Sequence, residues 1–201
     1  VPTFDLHTLL REGSVSFHRR LDALPQMMRL LSPQLSIDEY LACLRGLQQA
    51  HVPLEQAVEA YLASHSQPFD FAPRRKAALI ERDIAFYSPN EAPSPHSYPA
   101  SPPINDPASL VGALYVIEGA TLGGRMIAAR LAKSINARPA AGADFFNVYG
   151  DQVDLRWREL WAFFNVSLTE VEAAKALATA CHCFQFFEQA LSGIETPALP
   201  A

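Results

Sequence analysis

Residues 110–131 read LVGALYVIEGATLGGRMIAARL, and this stretch constrains the fold more than any other. Leu110, Leu114, Ile117, Ile127 and Leu131 recur at helical spacing, and Asp106-Pro107 is a helix start. Yet four of the chain's nine glycines, Gly112, Gly119, Gly123 and Gly124, lie inside the same run. Each interior glycine costs a helix roughly 0.5–1 kcal/mol against alanine. Bare backbone must therefore serve a purpose there. Either another helix packs very close, or a flat ligand lies on the helix and the glycines let it kink.

The rest of the chain surrounds that helix with others. A first helix is predicted over residues 3–24, with Leu6, Leu9, Leu10, Leu21 and Leu24 on its apolar face and Pro25 disturbing its end. It carries His18, with Ser14 and Asp22 one turn away on either side and Arg11 two turns earlier. Ser36 and Glu39 form a capping box that opens a second helix through residue 65, bent at Pro53. A third is predicted over residues 74–88. Residues 89–107 hold seven of the sixteen prolines and read as an extended surface connection rather than a boundary between domains. After the glycine-bearing helix, residues 140–150 (AAGADFFNVYG) are a break with aromatic anchors. A helix follows over residues 153–164 with Arg156 and Arg158, and Thr169 with Glu172 caps the last one. No β-alternation and no repeat occurs. The expected architecture is all-α, a single-domain bundle of six to eight helices spanning residues 1–201.

Composition narrows the class. At 201 residues and 49% hydrophobic, the chain can bury one substantial core. A formal net charge of -5 argues against a broad nucleic-acid surface. No uninterrupted apolar run approaches the ~18–20 residues that span a bilayer, and the first residues do not read as a signal peptide. Cys43, Cys181 and Cys183 make no disulfide framework, and Cys181-His182-Cys183 has no second ligand pair at metal-binding spacing. A reduced, cytoplasmic setting is expected, with neither membrane nor nucleic acid as a partner.

Several chemistries are excluded by their missing motifs. No Glu is followed three residues later by His, as a di-iron bundle requires. There is no phosphate-cradling GxxxxGK[ST], no GxGxxG after a strand and no GxSxG elbow. What remains is one His on the first helix, a glycine-bearing helix later, and arginines near both. That set suits a flat, dianionic, iron-bearing ligand: a neutral imidazole for one face of the iron, close backbone for the other, and cations for the carboxylates.

LYVIEGATLGG (residues 114–124), together with SFHRRLDAL (residues 16–24), resembles the heme oxygenase family. The likeness is to its bacterial, biliverdin-producing branch, which includes enzymes that supply bacteriophytochromes. It extends to FFNVYG (residues 145–150) and the closing helices. The resemblance implies a heme oxygenase-like fold and oxidative cleavage of heme b to biliverdin, CO and Fe2+, with heme as both cofactor and substrate. O2 and an external electron donor, a ferredoxin or flavin reductase, are implied with it.

By position, His18 matches the proximal iron ligand, and Gly119, Gly123 and Gly124 match the distal-helix glycines against the heme. Arg11, Tyr115 and Arg158 fall where the family places residues near the propionates, with Arg156 an alternative to Arg158. Tyr149 falls in the pocket. Ala120 stands where animal members hold an Asp that orders distal water. This departure leaves open a heme binder without turnover, and because unrelated functions share one fold, a same-fold protein that binds another small molecule or a protein partner stays open too.

Overall fold

Three capping boxes fix where the longest helices begin. The Ser36 side chain accepts from Glu39 N while Glu39 reaches back to Ser36 N, and Asp106 with Ser109 and Thr169 with Glu172 repeat the exchange. Each satisfies amide donors that the first helical turn leaves free. The computed structural model describes residues 5–65, 68–90, 97–165 and 168–194. Among them are seven α-helices and no named strand: α1 (Leu6–Asp22), α2 (Pro25–Arg29), α3 (Ile37–Ser64), α4 (Ala77–Tyr87), α5 (Pro107–Ser134), α6 (Val153–Asn165) and α7 (Glu170–Ser192). The all-α architecture read from the sequence is the one observed. Residues 91–96 of the proline-rich connection lie outside the described residues.

The helices differ from the sequence reading at two ends. The first helix stops at Asp22, and Pro25, a residue that suits a helix start because it has no amide to leave unpaired, begins the short α2. The third does not begin at Arg74. Residues Ala72–Arg74 form one 3-10 turn, and α4 starts at Ala77. The reason is tertiary. The Glu55 carboxylate of α3 accepts from the amides of Lys76 and Ala77 at 3.1–3.2 Å, so a neighbouring helix supplies the cap. α3 continues through Pro53.

α7 lies at the centre, packed against α1, α3 and α5. Along α1, Gly13 meets Leu177, His18 meets Phe184 and Arg20 pairs with Glu188, so α1 and α7 run in the same direction. Along α5, Asp106 pairs with Lys175 and Gly112 meets Ala176, Thr179 and Ala180, so α5 runs that way too. One continuous core joins these helices through Leu10, Leu44, Leu54, Leu110, Leu114, Ile117, Phe164, Cys183 and Phe187. α5 is long and apolar enough to cross a membrane by length and composition, although charged residues interrupt its apolar run. Its apolar window is 56% buried inside this bundle.

Candidate functional site

The glycines of α5 divide by what surrounds them. A Cβ on Gly112 would collide with the backbone carbonyl of Ala176 and stand 2.8 Å from Thr179 Cβ, so this glycine lets α5 and α7 touch. Gly119 is seven residues on, close to two helical turns, and so lies on nearly the same face. A Cβ there, or at Gly123 one further turn along, would meet nothing within 4 Å. The face that is closed against α7 at Gly112 is thus open by Gly119. Gly124 points elsewhere: a Cβ on it would lie 2.6 Å from the carbonyl oxygen of Phe146. Close packing accounts for two of the glycines and not for the other two. Gly112 and Gly124 serve close packing, while Gly119 and Gly123 leave space.

α1 forms the other side of that space. Ser14 Oγ donates to Leu10 O at 2.6 Å, and burial raises the Tyr115 hydroxyl of α5 while Ser14 and Arg11 of α1 act against that rise, so α1 comes up to α5 here. One turn further along each helix stand His18 and Gly119, about 6 Å onward at the helical rise. Because both helices run the same way along α7, these two residues come level with one another. Phe184 of α7 stands edge-on to the His18 ring at 5.6 Å between centroids. Val15 on α1 and Leu122 and Met126 on α5 are 40%, 60% and 58% exposed, so the borders of the space are apolar.

His18 is held by a partner on its own helix. Its Nδ1 lies 2.9 Å from Asp22 Oδ2, an i,i+4 pair within α1. That hydrogen bond raises the imidazole above its ordinary value, against the desolvation that lowers it. With Nδ1 engaged, Nε2 is the nitrogen left for any further partner.

Two exposed arginines lie one turn from the contact between α1 and α6. The His7 ring stands edge-on to Trp161 at 4.8 Å, which brings the first half of α1 against α6. Arg11 is one turn after His7 and Arg158 one turn before Trp161, and both are exposed. Arg11 is close enough to Tyr115 to act on its hydroxyl electrostatically. Arg156 is engaged otherwise: Nη1 pairs with Glu159 at 3.1 Å and the guanidinium lies 5.8 Å from the Tyr149 ring centre. Of the two arginines left open by the sequence, Arg158 is the one facing solvent.

Tyr149 and the neighbours of Glu118 form a group that sequence reasoning missed. Tyr149 is buried, and its hydroxyl donates to the Glu118 carboxylate at 2.9 and 3.0 Å rather than into the open space. Burial, and then Glu118, raise its ionisation so that it stays a neutral donor. Lys76 Nζ (2.6 Å) and Arg74 Nη1 (3.0 Å) donate to the same carboxylate. The available signal was Glu118 itself, a charged residue on the inward stripe one turn after Leu114. Lys76 and Arg74 gave none, because a helix was expected to run through them. Asp83 is a second such residue: its carboxylate accepts from the amides of Asp144 and Phe145 at 2.8 and 2.9 Å, fixing the aromatic turn against which Gly124 packs. A surface depression of about 390 Å³ bordered by Ala57, Tyr61, Ser64 and Ile104 shares no residue with the open glycine face.

With His18 on α1 and a bare glycine face with exposed apolar neighbours on α5, the protein is an all-α bundle whose two helices run parallel along α7. The heme oxygenase family model matches residues 4–192, and the chain belongs to that family. Among solved structures, the heme oxygenase of Leptospira interrogans superposes with a TM-score of 0.77 at 18% identity, covering 95% of this chain and 100% of that one. The Neisseria meningitidis enzyme, solved with NO and CO bound, gives 0.72 at 18% identity over 98% and 96% of the two chains. Heme oxygenase-1 of the cyanobacterium Synechocystis, solved in complex with heme, gives 0.72 at 16% identity over 94% and 91%. No curated protein matches the sequence significantly.

Proposed function

We propose that this chain, acting as one domain, holds heme between α1 and α5 and opens it oxidatively to biliverdin, CO and Fe2+. The observation that carries this reading is the bare backbone of α5 at Gly119 and Gly123, together with a His18 on α1 that is held through Nδ1. A porphyrin is flat and apolar except at its two carboxylates, and the residues present fit it: bare backbone on one face, an imidazole on the other, exposed cations at the edge.

In this reading His18 Nε2 ligates the iron, with Asp22 holding the ring through Nδ1. Gly119 and Gly123 bring α5 backbone against the opposite face, and Phe184 supports the histidine from below. Arg11 and Arg158 meet the propionates, Tyr115 braces α1 against α5, and the pair of arginines sets the in-plane rotation of the ring, hence which meso carbon is lost. Gly124 and Tyr149 act on this site through α5 rather than by contact. Bound heme supplies the oxygen activation, as cofactor and substrate together, with O2 and electrons from outside. The protein contributes orientation, exclusion of bulk water and a confined distal face. A cytoplasmic ferredoxin or flavin reductase as donor, and a bacteriophytochrome as acceptor of biliverdin, complete the proposal.

The experiment is a hemin titration followed in the visible, then addition of ascorbate or a ferredoxin system in air. Stoichiometric uptake, Soret loss, a broad band growing toward the red and release of CO are expected. A stable Soret complex that never decays would make the protein a heme carrier and place the cause at Ala120. No Soret shift would overturn heme binding.

A further inference from the structure

Glu118 immediately precedes the first open glycine of α5, and its side chain is completely buried. Its carboxylate takes three donors: Lys76 Nζ at 2.6 Å, Arg74 Nη1 at 3.0 Å and the Tyr149 hydroxyl at 2.9–3.0 Å. Lys76 and Arg74 are buried with it. The backbone of the same turn is held as well. Glu118 O accepts from Thr121 Oγ1 at 2.7 Å, and Thr121 Oγ1 accepts from Trp157 Nε1 at 3.0 Å.

The cluster is tied to three other parts of the fold. Lys76 Nζ also donates to Arg74 O at 3.0 Å, and the Lys76 amide donates to Glu55 of α3. Arg74 Nη2 donates to Arg156 O and to Glu159 Oε2 of α6, both at 3.1 Å. The turn from residue 118 to 121 is therefore anchored on one flank to α3, α6 and the Tyr149 segment, while its other side is bare at Gly119 and Gly123. A helix weakened by glycines needs such an anchor to keep its place. Buried ion clusters are seldom the most stabilising filling for a core, since apolar side chains of like volume do as well or better; what charge and geometry add is a defined register.

We propose that Glu118 is the positioning residue of the glycine face, fixing how deep Gly119 and Gly123 stand in the space opposite His18. This rests on the reading of that face as the heme-binding surface. Glu118 touches no ligand. It acts through the α5 backbone, so losing it loosens residues 119–123 locally while the bundle persists.

The test uses the full chain with E118Q, the double variant E118Q/K76M, which removes the uncompensated lysine, and Y149F, which removes only one neutral donor. Amide hydrogen exchange is measured on the apoprotein, and hemin spectra and biliverdin isomer ratio on the loaded protein. In E118Q, exchange at residues 119–123 is expected to rise at least tenfold relative to residues 41–47 of α3, with a mixed isomer ratio. E118Q/K76M is expected to regain thermal stability without regaining that protection, and Y149F to show the same local change at about threefold. A uniform rise across the bundle, or protection that returns together with stability in the double variant, would make Glu118 a core ion pair only and overturn the proposal. If E118Q does not fold, Y149F decides: unchanged exchange at residues 119–123 refutes it. Failure of the wild-type protein to take up hemin would sink the heme reading instead, and the apoprotein exchange data would remain interpretable.

Discussion

The Phe146 carbonyl oxygen occupies the place where a side chain on Gly124 would begin, 2.6 Å from the Cβ position. The obstacle is backbone, in a turn whose amides at residues 144 and 145 are held by Asp83, so it cannot swing aside. Gly124→Ala is expected to destabilise the apoprotein by about 1–3 kcal/mol, as overpacking does. Urea denaturation checks this, and an unchanged midpoint would place the turn elsewhere.

Gly119 and Gly123 should respond in the opposite sense. A methyl at either meets nothing within 4 Å, so alanine gains helix propensity without a clash. Apoprotein stability is expected to rise by about 0.5–1 kcal/mol for each substitution. Hemin affinity should fall, because the methyl intrudes on the ligand face. A variant that is more stable yet binds hemin worse is the signature. Equal hemin affinity in both variants would remove α5 from the ligand surface.

His18 makes hemin binding depend on pH through Asp22. Iron takes the neutral imidazole, so a proton competes with it, and affinity should decline as pH falls through His18's raised value. Asp22→Asn removes the partner that raises it and should move the midpoint to lower pH. The sign for apoprotein stability is the reverse. A raised value means that the charged His18–Asp22 pair contributes fully below the unfolded value of 6.5 and is lost as pH rises through the folded one. Both residues are about half exposed, so that second effect is small. Hemin titrations from pH 5 to 8 on both proteins decide it, and coincident midpoints would exclude Asp22 as the partner.

Arg158 is exposed and Arg156 is paired, so their substitutions should separate. Arg158→Glu is expected to weaken hemin binding by on the order of 1 kcal/mol, about fivefold, with a larger effect at low salt and a changed isomer ratio. Arg156→Ala should chiefly affect stability, because it strips a partner from Glu159 and a cation from the Tyr149 ring. Hemin affinity that follows Arg156 and not Arg158 would reverse the assignment of the propionate edge.

Much of the molecule was legible without coordinates because its signals are local. Ser36, Asp106 and Thr169 start their helices through side-chain bonds to amides three residues away, and those bonds need nothing beyond their own turn. The His18 helix and the LYVIEGATLGG run were legible as a family motif, and the family follows from it. Which glycine faces a helix, a carbonyl or open space was not legible, since Gly112, Gly119 and Gly124 are chemically identical and differ only in what distant chain segments bring against them. The same holds for α4, whose start is set by Glu55 twenty-one residues earlier, and for Tyr149, whose hydroxyl is claimed by Glu118 thirty-one residues earlier. Periodicity and capping report on a single turn. Burial, and the pairing of charges that burial compels, depend on which elements pack together, and only the tertiary structure decides that.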